Sequence, residues 1–137
     1  NNKIIGAQML GIDLNKHTAA HIYKAAQEGI AFAFRYGLDI MRENKLEPSV
    51  IKAGQANLFL SPVFTHAFVN ATGVPVALYN VEGSVGAALG AGIGAGIYKE
   101  LKDAFADTKP IQRIEPTETK LYDALYENWK DKLVKFI

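Results

Sequence analysis

The chain has 137 residues, 49% of them hydrophobic and 21% charged, which fits one globular domain and is too apolar for disorder. Fifteen Lys and Arg against fourteen Asp and Glu leave a net charge of +1, so no overall field recruits nucleic acid or an anionic membrane. Cysteine is absent, which excludes disulfides, thiolate chemistry and Cys-based metal centres and fits a cytosolic location.

Residues 1–16 mix apolar and polar side chains around Gly6 and Gly11 and read as an extended or looping lead-in. No signal or lipidation pattern is visible, and a start at Asn1 rather than Met suggests a piece of something longer. A long helix is predicted over 18–43, with Ile22, Ala26, Ile30, Ala33, Gly37 and Ile40 forming one apolar face and Asn15 or Thr18 as its cap. A short β-prone run over 49–53 stops at Gly54. Pro62 suits the first turn of a second helix, which Gly73 ends. Residues 74–79 read as a second strand. A third helix is expected over 84–105, then a linker with Pro110 and Pro116. A last amphipathic helix over 117–136 carries the stripe Leu121, Leu125, Trp129, Leu133 and Phe136. The order helix, strand, helix, strand, helix, helix argues for a parallel α/β arrangement. Two strands make a poor sheet, and the fold reads as unfinished on its N-terminal side.

The run GSVGAALGAGIGAG over 83–96 formally satisfies G-x-G-x-x-A at Gly90, Gly92 and Ala95. A dinucleotide fingerprint belongs on a strand-to-helix turn, whereas this one follows residues that already read as helix. The apolar stretch 84–97 is also short of the roughly 20 residues that span a bilayer. The expectation is a buried helix packed closely on both sides. His17 and His21 have zinc-ligand spacing, and Glu28 offers a third ligand, with ordinary hydrogen bonding as the alternative. His66 reads as structural and Asp13 as a cap or loop residue. No catalytic residue and no metal ligand is assigned.

Three segments in this order carry a family resemblance: GIDLNKHTAAHIYKAAQEGIAF over 11–32, IKAGQANLFLSPVF over 51–64, and YNVEGSVGAALGAG over 79–92. Together they resemble the C-terminal domain of the FGGY carbohydrate kinases, most closely the xylulokinase branch. The resemblance implies a partial ribonuclease-H-like domain of the actin and hexokinase type. It also implies an enzyme that transfers the γ-phosphate of ATP, with Mg2+, to a sugar or polyol hydroxyl. This chain would carry the adenosine side of the cleft. The resemblance also implies an absent strand beside 49–53, whose loss leaves an unpaired apolar edge that invites self-association. The sugar pocket, catalytic aspartate and phosphate-gripping hairpin belong to parts of the family absent here, so the chain alone is expected to be inactive.

The resemblance places Gly54, Gln55, Ala56 and Asn57 against the nucleotide, where many family members carry a Gly-Gly pair. The amides of Gln55 or Asn57 would meet the adenine edge or ribose, or else cap a tight loop. On the other wall, Glu82, Gly83 and Ser84 lead into Gly86 and Ala87, small residues over which a nucleotide can lie. Glu82 would accept from ribose hydroxyls or favour the positive end of its own helix. Two readings of other classes stay open: a non-catalytic α/β interaction module, and a membrane-associated glycine-zipper protein.

Overall fold

A computed structural model of the chain describes residues 6–81, 83–104 and 109–136. Helix α1 (Ala19–Glu43) leads to strand β1 (Ile51–Gly54), a 3-10 turn over Asn57–Leu60, and helix α2 (Pro62–Thr72). Strand β2 (Val76–Tyr79), helices α3 (Gly83–Gly94) and α4 (Leu101–Ala104), strand β3 (Pro110–Ile114) and helix α5 (Thr119–Leu133) follow. The sheet has the order β1-β2-β3. β1 and β2 are parallel, with Ile51 opposite Val76 and Gly54 opposite Tyr79, while β3 runs antiparallel to β2. The sheet is therefore mixed, and 110–114 is a strand where a linker was expected. Its pattern holds only two isoleucines around Gln112 and Arg113, and Pro110 is tolerated because it opens an edge strand. The outer edge of β1 pairs with no described residue.

α2 forms as its punctuation dictates. Ser61 caps the start, accepting from the Phe64 N–H at 3.4 Å, and Pro62 occupies the first turn. Gly73 ends the helix at φ 67°, a left-handed conformation that suits glycine. The Ser61 hydroxyl also donates to Gln27 on α1 at 2.6 Å, fixing where the two helices cross. Phe64, Ala67, Phe68 and Val69 bury against β1, β2 and α1, and this is the centre of the core.

α1 and α5 present different faces from those their periodicity predicts. On α1 the buried residues are Ala31, Phe32 and Leu38, while Ile30, Ala33, Gly37 and Ile40 of the expected stripe lie exposed. The reason is electrostatic. Arg35 donates to the Ala71 carbonyl and Arg42 to the Thr72 carbonyl at 2.9 Å, neutralising the C-terminal end of α2. Asp39 lies between them, accepting from Arg35 at 2.9 Å, Arg42 at 3.2 Å and the Tyr126 hydroxyl at 2.8 Å. On α5 the buried residues are Tyr122 and Tyr126, whereas Leu121 and Leu125 of the expected stripe are exposed. The tyrosines bury because their hydroxyls find acceptors, Glu28 for Tyr122 and Asp39 for Tyr126.

Asn70 ties α5 to the core. It is fully buried, and its side-chain oxygen accepts from the N–H groups of Thr117 at 2.7 Å and Glu118 at 2.6 Å. Its amide donates to the His66 carbonyl at 2.9 Å. One α2 side chain thus satisfies the backbone leading into α5, where the sequence has no local cap of its own.

The expected single helix over 84–105 ends at Gly94. Gly96 takes φ 75° and reverses the chain, so Ile97 donates back to the Gly92 carbonyl at 2.9 Å. A Cβ on Gly92 would lie 2.9 Å from the Tyr98 ring, so this glycine seats the returning chain. The expectation of burial on both sides fails: Gly92 is the only buried residue of α3. Cβ atoms at Gly83, Gly86, Gly90 and Gly94 would meet nothing within 4 Å. No helix among the described residues is long and apolar enough to cross a membrane.

Candidate functional site

β1 and β2 are adjacent parallel strands, and the loops leaving their carboxyl ends meet. Open α/β sheets bind ligands in the crevice beyond those ends. After β1, the Gln55 N–H donates to the Tyr79 carbonyl at 2.8 Å, continuing the ladder by one bond. Ala56 then turns back on Gly54 at 2.8 Å, and Asn57 takes φ 51° to start the 3-10 turn. Asparagine tolerates that left-handed conformation better than most side chains. A Cβ on Gly54 would lie 2.3 Å from the Val81 carbonyl oxygen. The glycine is required for the second loop to cross the first.

A cleft of about 460 Å³ opens between these loops. Gly54, Ala56 and Asn57 form one wall, and Gly83 and Gly86 at the start of α3 form the other. Phe34 of α1 and Phe59 of the 3-10 turn add aromatic surface. Five of the residues expected from the sequence thus share one site. Gln55 is exposed and serves through its backbone, Ala87 lies on α3 outside the lining, and Glu82 lies outside the described residues. Phe34, Phe59, Val81 and Val85 were not anticipated. Val81 and Val85 flank the expected residues 82–84 in sequence and are the local signal for half of them, whereas nothing near Phe34 in sequence points to residues 54 and 83.

The described lining carries no charged side chain, and Asn57 contributes its one polar side chain. Such a surface suits a flat, largely apolar group with a few edge hydrogen bonds, because the Asn57 amide both donates and accepts. The absent Cβ atoms at Gly83 and Gly86 leave that group room to approach the backbone.

Other candidates fall into structural roles. The Asp13 carboxylate accepts from the Asn15 N–H at 2.9 Å. His66 lies 3.2 Å from Glu118 and 3.4 Å from the Tyr122 hydroxyl, bracing α5 against α2. Tyr122 is pushed up to about 12 by burial and by the adjacent Glu28 carboxylate, so its hydroxyl stays a donor. The Nδ1 atoms of His17 and His21 accept from the N–H groups of Asp13 at 3.0 Å and Thr18 at 3.1 Å. His21 thereby completes a capping box in place of the usual Glu or Gln. Among the described residues, no three His, Cys, Asp or Glu side chains converge on a metal position.

Residues 2–95 match the FGGY family of carbohydrate kinases, C-terminal domain. The chain belongs to the FGGY family. It is similar to the L-xylulose/3-keto-L-gulonate kinase of Escherichia coli (strain K12), 31% identical over 121 residues, covering 83% of this chain and 24% of that protein. Among solved structures, the xylulose kinase from Rhodospirillum rubrum superposes with a TM-score of 0.73 at 26% identity, over 91% of this chain and 26% of that one. A kinase from Brucella ovis gives 0.69 at 25% identity, over 89% of this chain and 26% of that one. The chain spans about a quarter of the length of these relatives. The α/β architecture with its mixed three-stranded sheet is that of the FGGY C-terminal, actin-like domain.

Proposed function

We propose that this FGGY domain supplies the adenosine wall of an ATP-dependent kinase acting on a pentulose such as xylulose. The observation that carries the reading is the small-residue, uncharged cleft beyond the carboxyl ends of β1 and β2. The purine lies against Phe34 and Phe59, the Asn57 amide meets its edge or the ribose, and Gly83 and Gly86 admit the nucleoside to the start of α3. With no cation in the described lining, the triphosphate is held elsewhere in the full enzyme. The described lining also offers no carboxylate for the Mg2+ that accompanies ATP. Phosphoryl transfer depends on positioning and charge stabilisation from both sides of a cleft, so the 137-residue chain alone is inactive.

An ADP titration followed by backbone amide shifts tests this. Saturable shifts confined to 53–58 and 82–88 support the adenosine wall, and shifts elsewhere or none at all count against it. Phosphorylation of xylulose by the purified chain would overturn the division of labour. The outer edge of β1, which pairs with no described residue, takes a further strand, from a second copy or from elsewhere in the enzyme. Sedimentation at rising concentration checks the first case, with a monomer throughout excluding it.

A further inference from the structure

A second cleft, of about 660 Å³, lies between residues 6–12, the first half of α1 and the last half of α5, and shares no lining residue with the first. Its size is that of a small-molecule site. The outward stripes of the two helices meet here: Ile22 on α1 shares the cleft with Leu125 and Leu133 of α5, with Phe136 just beyond α5, and with Met9 and Leu10. The polar groups among them are mainly donors. Because the Nδ1 atoms of His17 and His21 accept from backbone N–H groups, each neutral ring carries its proton on Nε2. The Lys132 ammonium donates to the Asn128 side-chain oxygen and has no carboxylate partner among the described residues. That bond leaves the Asn128 NH2 as a further donor. The one carboxylate of the described lining, Glu28, is already engaged by Lys24 at 3.5 Å and by the Tyr122 hydroxyl at 3.2 Å.

We propose that this cleft binds a small amphipathic anion, a carboxylate on an aliphatic body. The head lies at Lys132 and Asn128, the body lies along Ile22, Leu125 and Leu133, and the imidazole Nε2–H groups are further donors in the same cleft. A charge-assisted hydrogen bond to Lys132 selects the anion, and the apolar stripe selects a chain of several carbons over acetate.

Trp129 lines the cleft and is the only tryptophan of the chain, so its emission reports this site. Titration with octanoate should change that emission saturably, with octylammonium binding at least about tenfold more weakly. Lys132→Glu should remove the preference for octanoate, and Lys132→Arg should keep it, with far-UV and near-UV circular dichroism confirming both folds. Phe34→Ala, in the other cleft, should leave the titration unchanged. The proposal is overturned by an unsaturable response, by equal affinity for octylammonium, by an octanoate preference that survives Lys132→Glu, or by one lost in Phe34→Ala.

Discussion

α2 and α1 lie side by side and are built on opposite logic. α2 buries eight of its eleven residues, five of them apolar. α1, more than twice as long, sets Arg35, Asp39 and Arg42 half-buried against α2 and α5 and leaves Phe34, Ile40 and Met41 at 56%, 49% and 44% exposure. α5 repeats the α1 pattern with its tyrosines. Apolar periodicity therefore locates a helix without saying which face is inside. A buried polar face is stable when every donor and acceptor is matched, and Arg35, Asp39, Arg42, Tyr122 and Tyr126 meet that condition.

The comparison is broken most severely by removing a buried polar partner. Asn70→Ala orphans the N–H groups of Thr117 and Glu118 and should cost about 3 kcal/mol or more. Urea unfolding measures the loss, and hydrogen exchange should show protection disappearing from residues 117–124 before the core opens. A loss under about 1 kcal/mol would mean that α5 is held by its rings alone.

Gly54→Ala tests where the two strand-end loops cross. The new methyl would sit 2.3 Å from the Val81 carbonyl oxygen, a backbone atom with little freedom to yield. A cost of about 2 kcal/mol is expected, in the range of overpacked cores. Amide shifts should spread over 79–86, because both loops must part.

The Asp39 cluster gives a pH signature. Burial pushes the Asp39 carboxyl up, but the Tyr126 hydroxyl and the Arg35 guanidinium outweigh it and hold the group below its ordinary value of 3.8. A carboxylate lowered in the folded state stabilises the fold above the unfolded value, and that stability is lost as pH falls through the folded one. Stability should thus decline below about pH 4, and Asp39→Asn should flatten that limb while costing about 1–2 kcal/mol at neutral pH. An unchanged acid limb in the variant would move the effect to another carboxylate.

What the sequence made legible divides along the same line. α2 was readable because Pro62 and Gly73 are chemical punctuation. β3 was not, since Pro110 and the Gln112–Arg113 pair mask an edge strand that only its partner β2 defines. The inner faces of α1 and α5 were hidden because their residues count as polar until their hydrogen-bond partners, up to 94 positions away, are known. At the site, the small residues of both loops followed from the family resemblance. Phe34 did not, because tertiary packing alone carries an α1 side chain to the strand ends.

Gly86→Ala has the smallest effect on stability and the sharpest meaning. Gly86 lies within α3, where alanine is favoured over glycine by up to about 1 kcal/mol. Its new Cβ would meet no protein atom within 4 Å, so nothing opposes that gain and the variant should melt slightly higher. The methyl would project into the space that the proposed nucleoside occupies, and ADP affinity should fall at least about tenfold, or 1.4 kcal/mol. Destabilisation would mean that the absent side chain serves packing. Raised stability with lost binding would mean that the chain gives up helix propensity at this position to keep room for a ligand, which packing alone does not explain.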